Sequence, residues 1–116
     1  MKILIVDDDQ NILRLYKEEL EEEGYTIVTA SNGQEAIERF EAEDPDLVTL
    51  DILLPDIDGI KLLRQMKEKK PRLPIIMSTA YDYRDDFAVW ASEAYIVKSS
   101  DLTELKATIR QLTEKE

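Results

Sequence analysis

The sequence alternates short apolar runs with longer segments in which apolar residues recur at helical spacing. Four of the five runs are almost continuously apolar, which is typical of strands buried on both faces of a sheet. The other run contains Thr26 and Thr29, and these suit an edge strand. The alternation predicts a parallel sheet covered by helices. The runs are KILIV (2–6), YTIVTA (25–30), DLVTL (46–50), PIIMS (74–78) and AYIV (94–97).

The segments between and after the runs predict five helices. Ile12, Tyr16 and Leu20 recur at every fourth position, and Ala36 and Phe40 follow SNGQ, which resembles a capping box. A short helix is expected around residues 87–91. The other stripes are Ile60, Leu63 and Met66 before Pro71 and Pro74, then Leu102, Leu105, Ile109 and Leu112 with Ser100 or Asp101 as cap.

Right-handed crossovers leave few ways to wind these elements. The order 2-1-3-4-5 is the best of them, giving an α/β fold with a doubly wound, five-stranded parallel sheet of the flavodoxin-like (βα)5 type. A ligand site is then expected beyond the carboxyl ends of the strands, at the switch point between strands one and three.

Composition narrows the functions that such a chain can have. Its 116 residues favour a single domain over residues 1–116, with no output domain in this chain. The net charge of −11 argues against nucleic acid and anionic membranes as partners. Cysteine and histidine are absent, so carboxylates, hydroxyls and lysine must carry any chemistry. The apolar runs are too short to span a membrane and no signal peptide is recognised, so we expect a cytoplasmic protein.

Polar residues follow four of the predicted strands and should meet at one edge of the sheet. The three successive aspartates after the first strand can be read as helix caps or as metal ligands. Asp51 beside them adds a carboxylate whose repulsion a cation or a proton must relieve. Ligands that are all oxygen favour Mg²⁺. The residues are Asp7, Asp8 and Asp9 after strand one, Asp51 after strand three, Ser78 and Thr79 at the end of strand four, and Lys98 after strand five.

A phosphoryl group on a carboxylate at this edge would need a hydroxyl donor, a fixed cation and a metal. Thr79, Lys98 and Mg²⁺ can supply them. Thr79 or Lys98 alone also fits an ordinary strand end. Their predicted position together beside the aspartates is what indicates such a site.

Four stretches together resemble the receiver domain of a two-component response regulator, and the resemblance covers the whole chain. They are ILIVDDDQ (3–10), DLVTLDILLPDIDGI (46–60), PIIMSTA (74–80) and AYIVKSS (94–100). The resemblance implies that Asp51 accepts a phosphoryl group from a phosphohistidine on a histidine kinase or phosphotransfer protein. It also implies that Asp8 binds Mg²⁺ directly, that Asp7 acts through water, and that Asp51 and the Leu53 carbonyl complete the metal ligands.

The same resemblance implies that Thr79 and Lys98 meet the phosphoryl oxygens and that Tyr95 is an aromatic switch. The chain is then expected to be no enzyme, but a phosphoacceptor that assists its own phosphorylation and dephosphorylation. The output partner, an unknown protein or domain, would be bound through the face of helix four, strand five and helix five, and phosphorylation can produce a homodimer.

Three departures from the family pattern fall near that output face. Ser99 stands where the family usually has proline, Glu93 and Ala94 replace a usual glycine, and the interval from Thr79 to Lys98 is about one helical turn short. Leu53 and Tyr81 occupy positions that affect the hydrolytic water in such domains, so slow autodephosphorylation is expected.

The departures keep an alternative open, a docking module that binds its partner without phosphorylation. A Mg²⁺-dependent phosphatase is a third reading, against which stand the short chain and the lack of an acid–base residue beside Asp51.

Overall fold

The computed structural model describes residues 1–79, 94–98 and 101–113. The elements are β1 (Lys2–Val6), α1 (Gln10–Glu22), β2 (Thr26–Ala30), α2 (Gly33–Glu43), β3 (Leu47–Leu50), α3 (Gly59–Lys69), β4 (Ile75–Thr79), β5 (Ala94–Val97) and α4 (Thr103–Thr113). The short helix predicted around residues 87–91 lies outside the described residues, so α4 corresponds to the last predicted helix.

The strands form a parallel sheet in which β1 lies between β2 and β3. Ile3 of β1 pairs with Ile27 of β2 on one side and with Leu47 of β3 on the other. Leu50 of β3 pairs in turn with Met77 of β4. The predicted order 2-1-3-4 is therefore confirmed. On the far side of β4, the four residues of β5 pair in parallel with Ile76–Thr79.

Helices cover both faces of the sheet because alternate residues along each strand point to opposite sides. Leu4 and Val6 of β1 pack into a cluster with residues of α2 and α3, whereas Ile3 and Ile5 pack into a second cluster with residues of α1 and α4. The first is called the α2/α3 face below, and the second the α1/α4 face. Among the described residues, no helix has the length and apolar character to cross a membrane.

The helix boundaries follow from local chemistry. At the start of α2, Asn32 Oδ1 accepts from the Glu35 amide at 2.8 Å and the Glu35 carboxylate accepts from the Ser31 amide at 3.1 Å. The cap therefore uses Asn32 and Glu35, one residue after the Ser31 and Gln34 of the predicted box. Helix α3 ends at Lys69, two residues before Pro71. At the start of α4, Asp101 Oδ1 accepts from the Thr103 amide at 2.9 Å.

One predicted apolar stripe is displaced slightly. Leu13, Tyr16 and Leu20 are the buried residues of α1, whereas Ile12 is only half-buried. A helix turns by 3.6 residues, so the buried face follows mixed steps of three and four rather than a uniform step of four.

Candidate functional site

The three successive aspartates after β1 do not all have the same structural role. Asp9 is the N-cap of α1, and its carboxylate accepts from the amides of Asn11 at 2.9 Å and Ile12 at 3.4 Å. Asp7 continues the sheet ladder, because its amide donates to the Ala30 carbonyl, and its side chain is buried. Asp8 is exposed at the surface. The capping interpretation therefore holds for Asp9, while Asp7 and Asp8 remain available for other chemistry.

Asp51 follows β3 in the same way that Asp7 follows β1. Its amide donates to the Val6 carbonyl at 3.1 Å, so the parallel ladder places it beside the end of β1. Its side chain is buried, and the Leu53 amide donates to its Oδ1 at 3.2 Å. Oxygen atoms of Asp7, Asp8 and Asp51 all lie within 4.8 Å of one another. The structure thus brings together the three carboxylates that the sequence assigned to a metal site.

Lys98, which directly follows β5, reaches the same cluster. Its Nζ donates to Asp51 Oδ2 at 2.9 Å and also forms an ion pair with Asp7. The Lys98 side chain is only 12% exposed. Burial opposes its charge, but the hydrogen bonds to the two carboxylates outweigh burial and raise the pKa of Lys98. The ammonium therefore stays protonated and acts as a fixed cation at the edge of the sheet.

The electrostatics of Asp7 differ from those of an ordinary surface aspartate. Burial raises its pKa, although Lys98 and the Asp9 amide partly counteract this by hydrogen bonding to the carboxylate. When ionised, the three carboxylates and Lys98 carry a net charge of −2. A divalent cation would neutralise that charge. All donors are carboxylate oxygens, one from an exposed residue, so the set suits a hard cation that retains water, such as Mg²⁺.

Three further residues that the sequence singled out lie near this edge. Thr79 is the last residue of β4 and is paired through its backbone with Val97, while Tyr95 pairs with Met77. The side chains of Thr79 and Tyr95 are outside the described part of the structure. Leu53 lies in the loop after Asp51 and is 49% exposed.

A buried pair of hydroxyls on the α1/α4 face was missed by sequence reasoning. Tyr16 of α1 and Ser78 of β4 are 2% and 3% exposed, and their hydroxyl oxygens are 3.2 Å apart. Burial raises the pKa of Tyr16, so its hydroxyl keeps its proton. A serine inside the apolar run PIIMS was the available signal, but nothing in the sequence paired it with a residue 62 positions away.

The comparisons with known proteins agree with this fold. The sequence model of the response regulator receiver domain family matches residues 3–110. The chain therefore belongs to the response regulator receiver domain family.

Individual relatives cover almost the whole chain. The crystal structure of the response regulator TrrA from Thermotoga maritima in complex with Mg²⁺–BeF is 47% identical, covers 96% of this chain and 97% of TrrA, and superposes with a TM-score of 0.92. A second structure contains TrrA in complex with histidine kinase ThkA, with 47% identity, a TM-score of 0.91 and 97% coverage of both chains.

A curated relative shows that the chain matches only part of some family members. The alkaline phosphatase synthesis transcriptional regulatory protein PhoP of Bacillus subtilis is 38% identical over 114 residues, which make up 96% of this chain and 48% of PhoP. The chain thus spans about half the length of this relative.

Proposed function

We propose that the chain is a phosphoacceptor switch in which Asp51 receives a phosphoryl group from a phosphohistidine. The donor is a histidine kinase or a phosphotransfer protein. The observation that carries this proposal is the placement of Asp51, a buried carboxylate that shares the Lys98 ammonium with Asp7 and has Asp8 beside it. The complex of TrrA with histidine kinase ThkA supports the class of donor.

The chemistry is a transfer between two covalent carriers. A carboxylate oxygen of Asp51 attacks the phosphorus atom, the P–N bond of the donor breaks, and the imidazole leaves with the bonding electron pair and takes up a proton. Buried carboxylates are usually poor sites for added negative charge. Here Lys98 is already within hydrogen-bond distance of Asp51 and can donate to the incoming phosphoryl oxygens without large movement.

Asp7 and Asp8, with Asp51 and the Leu53 carbonyl, are the residues that would hold Mg²⁺. Following the family resemblance, Asp8 would bind the metal directly and Asp7 would act through water. The metal supplies neutralisation of the negative charge that the phosphoryl group brings. The TrrA complex with Mg²⁺–BeF supports this assignment.

The rest of the switch involves residues near β5. Thr79 is proposed to donate to a phosphoryl oxygen and Tyr95 to change its position in response. The complete fold is then a five-stranded (βα)5 domain over residues 1–116, working in the cytoplasm. Its output surface is the predicted helix around residues 87–91 with β5 and α4, which binds an output protein, an output domain or a second phosphorylated copy.

The same proposal includes slow loss of the phosphoryl group. Leu53 presents an apolar side chain beside Asp51 and offers no hydrogen bond to position a water molecule. Tyr81, the other residue assigned to this effect, lies outside the described residues. The chain accepts and releases phosphate on itself and has no separate substrate.

The experiment that tests the proposal is intact-mass measurement after incubation with phosphoramidate, a small donor with a P–N bond like that of phosphohistidine. The native chain with Mg²⁺ should gain one phosphoryl group, and EDTA should prevent the gain. Asp51→Asn should remain unmodified. Asp58→Asn is the matched control, because Asp58 lies in the following loop and caps α3 through the Ile60 amide, and it should be modified like the native chain. Equal modification of Asp51→Asn and the native chain would refute the proposal.

A further inference from the structure

The loop between Asp51 and α3 is attached to the start of α2. Asp56, in the middle of this loop, accepts from the Gly33 amide at 2.7 Å and from the Gln34 amide at 3.0 Å. Both amides belong to the first turn of α2 and have no partner within their own helix. The Asp56 carboxylate therefore bridges two elements separated by more than twenty residues in sequence.

Packing reinforces the bridge. A Cβ atom on Gly33 would lie 2.0 Å from Ile57 Cγ2, so only glycine allows the loop to approach α2 this closely. Ile57 itself packs against the buried cluster of the α2/α3 face. The hydrogen bonds from Gly33 and Gln34 hold the pKa of Asp56 below its usual range, which indicates that they favour the ionised carboxylate.

The other end of the loop is held just as closely. The Gly59 amide donates to the Ile52 carbonyl at 2.8 Å, and a Cβ on Gly59 would come within 2.1 Å of the Asp51 carbonyl oxygen. Leu53 forms an isolated antiparallel bridge with Asp58. The segment that carries the Leu53 carbonyl thus has an inner anchor at Gly59 and an outer anchor at Asp56.

We infer that Asp56 is a positioning residue for the cation site, and that its attachment to α2 fixes the direction of the Leu53 carbonyl. The inference rests on the proposed function, since it concerns the same Mg²⁺ ligands. Asp56 acts through the loop and does not bind the metal itself. The inner anchor joins Gly59 to Ile52, so Leu53 lies between Ile52 and Asp56 along the chain. Loss of the Asp56 contact then leaves this segment held at its Ile52 end.

The expected effect can be separated from simple loss of helix stability. Asn32 caps the same end of α2 by accepting from the Glu35 amide at 2.8 Å, a hydrogen bond that does not involve the loop. Asn32→Ala and Asp56→Ala therefore both remove hydrogen bonds that cap the start of α2. Of the two, Asp56→Ala is the one that also detaches the loop. Asp56→Asn keeps one acceptor oxygen and should behave between Asp56→Ala and the native chain.

The experiment combines calorimetric titration with MgCl₂ and amide hydrogen exchange of the metal-free protein. Asp56→Ala should lower Mg²⁺ affinity about 10-fold and speed exchange at the Leu53 amide. Asn32→Ala should do neither, although it lowers the thermal midpoint. The inference is overturned if Asp56→Ala binds Mg²⁺ as the native chain does, or if Asn32→Ala gives the same loss. Failure of the native chain itself to bind Mg²⁺ would instead refute the metal site and this inference together.

Discussion

The two faces of the sheet differ in the polarity of the residues that they bury. The buried residues of the α2/α3 face form an apolar cluster that includes Leu50, Leu63 and Met77. The α1/α4 face begins in the same way, with Ile3 and Ile5 on β1, but two residues further along it carries a charged group or a hydroxyl. Its polar members are Asp7 after Ile5, Thr49 and Asp51 after Leu47, Ser78 after Ile76, and Lys98 after Ile96.

Because side chains alternate between the two faces of a strand, one sheet can carry an apolar core on one face and functional groups on the other. Each strand alternates between the faces, so a single strand can contribute Leu50 to one core and Asp51 to the site at its end. The ladder continues through Asp7 and Asp51, so backbone pairing places both residues at the sheet edge before any ligand binds. The α2/α3 face is thus expected to determine stability, and the end of the α1/α4 face to determine chemistry.

The largest expected effect comes from the apolar face. Leu63 is fully buried, and Leu63→Ala should lower the free energy of unfolding by about 2 to 5 kcal/mol because it leaves a cavity. Urea denaturation measures this loss. If the two faces are separate, Mg²⁺ affinity measured below the unfolding transition should not change. A large loss of affinity would show that the faces are coupled.

Next in size is the effect of Lys98→Ala on phosphorylation. Removal of a preorganised cation from the reacting group should slow modification by phosphoramidate about 100-fold, measured as the initial rate at saturating Mg²⁺. Lys106→Ala is the control. Lys106 of α4 also forms an ion pair, with Glu19 of α1 at 2.9 Å, and this pair joins two helices. Equal rates in both variants would remove Lys98 from the mechanism.

Asp7→Asn should separate metal binding from folding. The raised pKa of Asp7 means that folding favours the protonated carboxyl. That stabilisation is present below the unfolded pKa and is lost as pH rises through the folded pKa, so at neutral pH the ionised group opposes folding. Without metal, Asp7→Asn should therefore unfold at a slightly higher temperature than the native chain at pH 7.

In the presence of Mg²⁺ the native chain should unfold at a higher temperature than Asp7→Asn. Mg²⁺ at 100 times its dissociation constant stabilises the native chain by about 2.7 kcal/mol, and Asp7→Asn should lose most of this gain. Thermal unfolding with and without MgCl₂ measures both parts. A lower midpoint for metal-free Asp7→Asn would contradict the assigned cost of burying this charge.

The smallest effect is expected at the hydroxyl pair. Tyr16→Phe removes one hydrogen bond and leaves the buried Ser78 hydroxyl without its partner, which should cost about 1 kcal/mol. Ser78→Ala in the Tyr16→Phe background should then cost less than it does alone. A double-mutant cycle by urea denaturation gives the coupling, and additive losses would show that the contact contributes nothing.

The main lines of the fold could be predicted because they depend on local patterns. Continuous apolar runs predicted the positions of β1, β3 and β4, and the rule of right-handed crossovers gave the order of the first four strands. The same topology predicted that Asp7, Asp8 and Asp51 would meet, since parallel strands end at one edge.

The parts that escaped prediction depend on side-chain contacts between distant segments. Tyr16 bonds to Ser78, and Asp56 bonds to the start of α2. Each of these residues also fits its own helix, strand or loop, so its type gave no sign of a distant partner. The residue pattern also left open whether Asp7, Asp8 and Asp9 are helix caps or metal ligands. Only the start of α1 shows that Asp9 is its cap.

The most direct test of the account is to locate the phosphoryl group chemically. The native chain is incubated with acetyl phosphate and MgCl₂ and then treated with sodium borohydride, which reduces an aspartyl phosphate to homoserine. Peptide sequencing by mass spectrometry should find homoserine at position 51, and the yield should fall to background in EDTA. Homoserine at another aspartate, or none in a folded chain that binds Mg²⁺, would contradict the assignment of Asp51 as the phosphoacceptor.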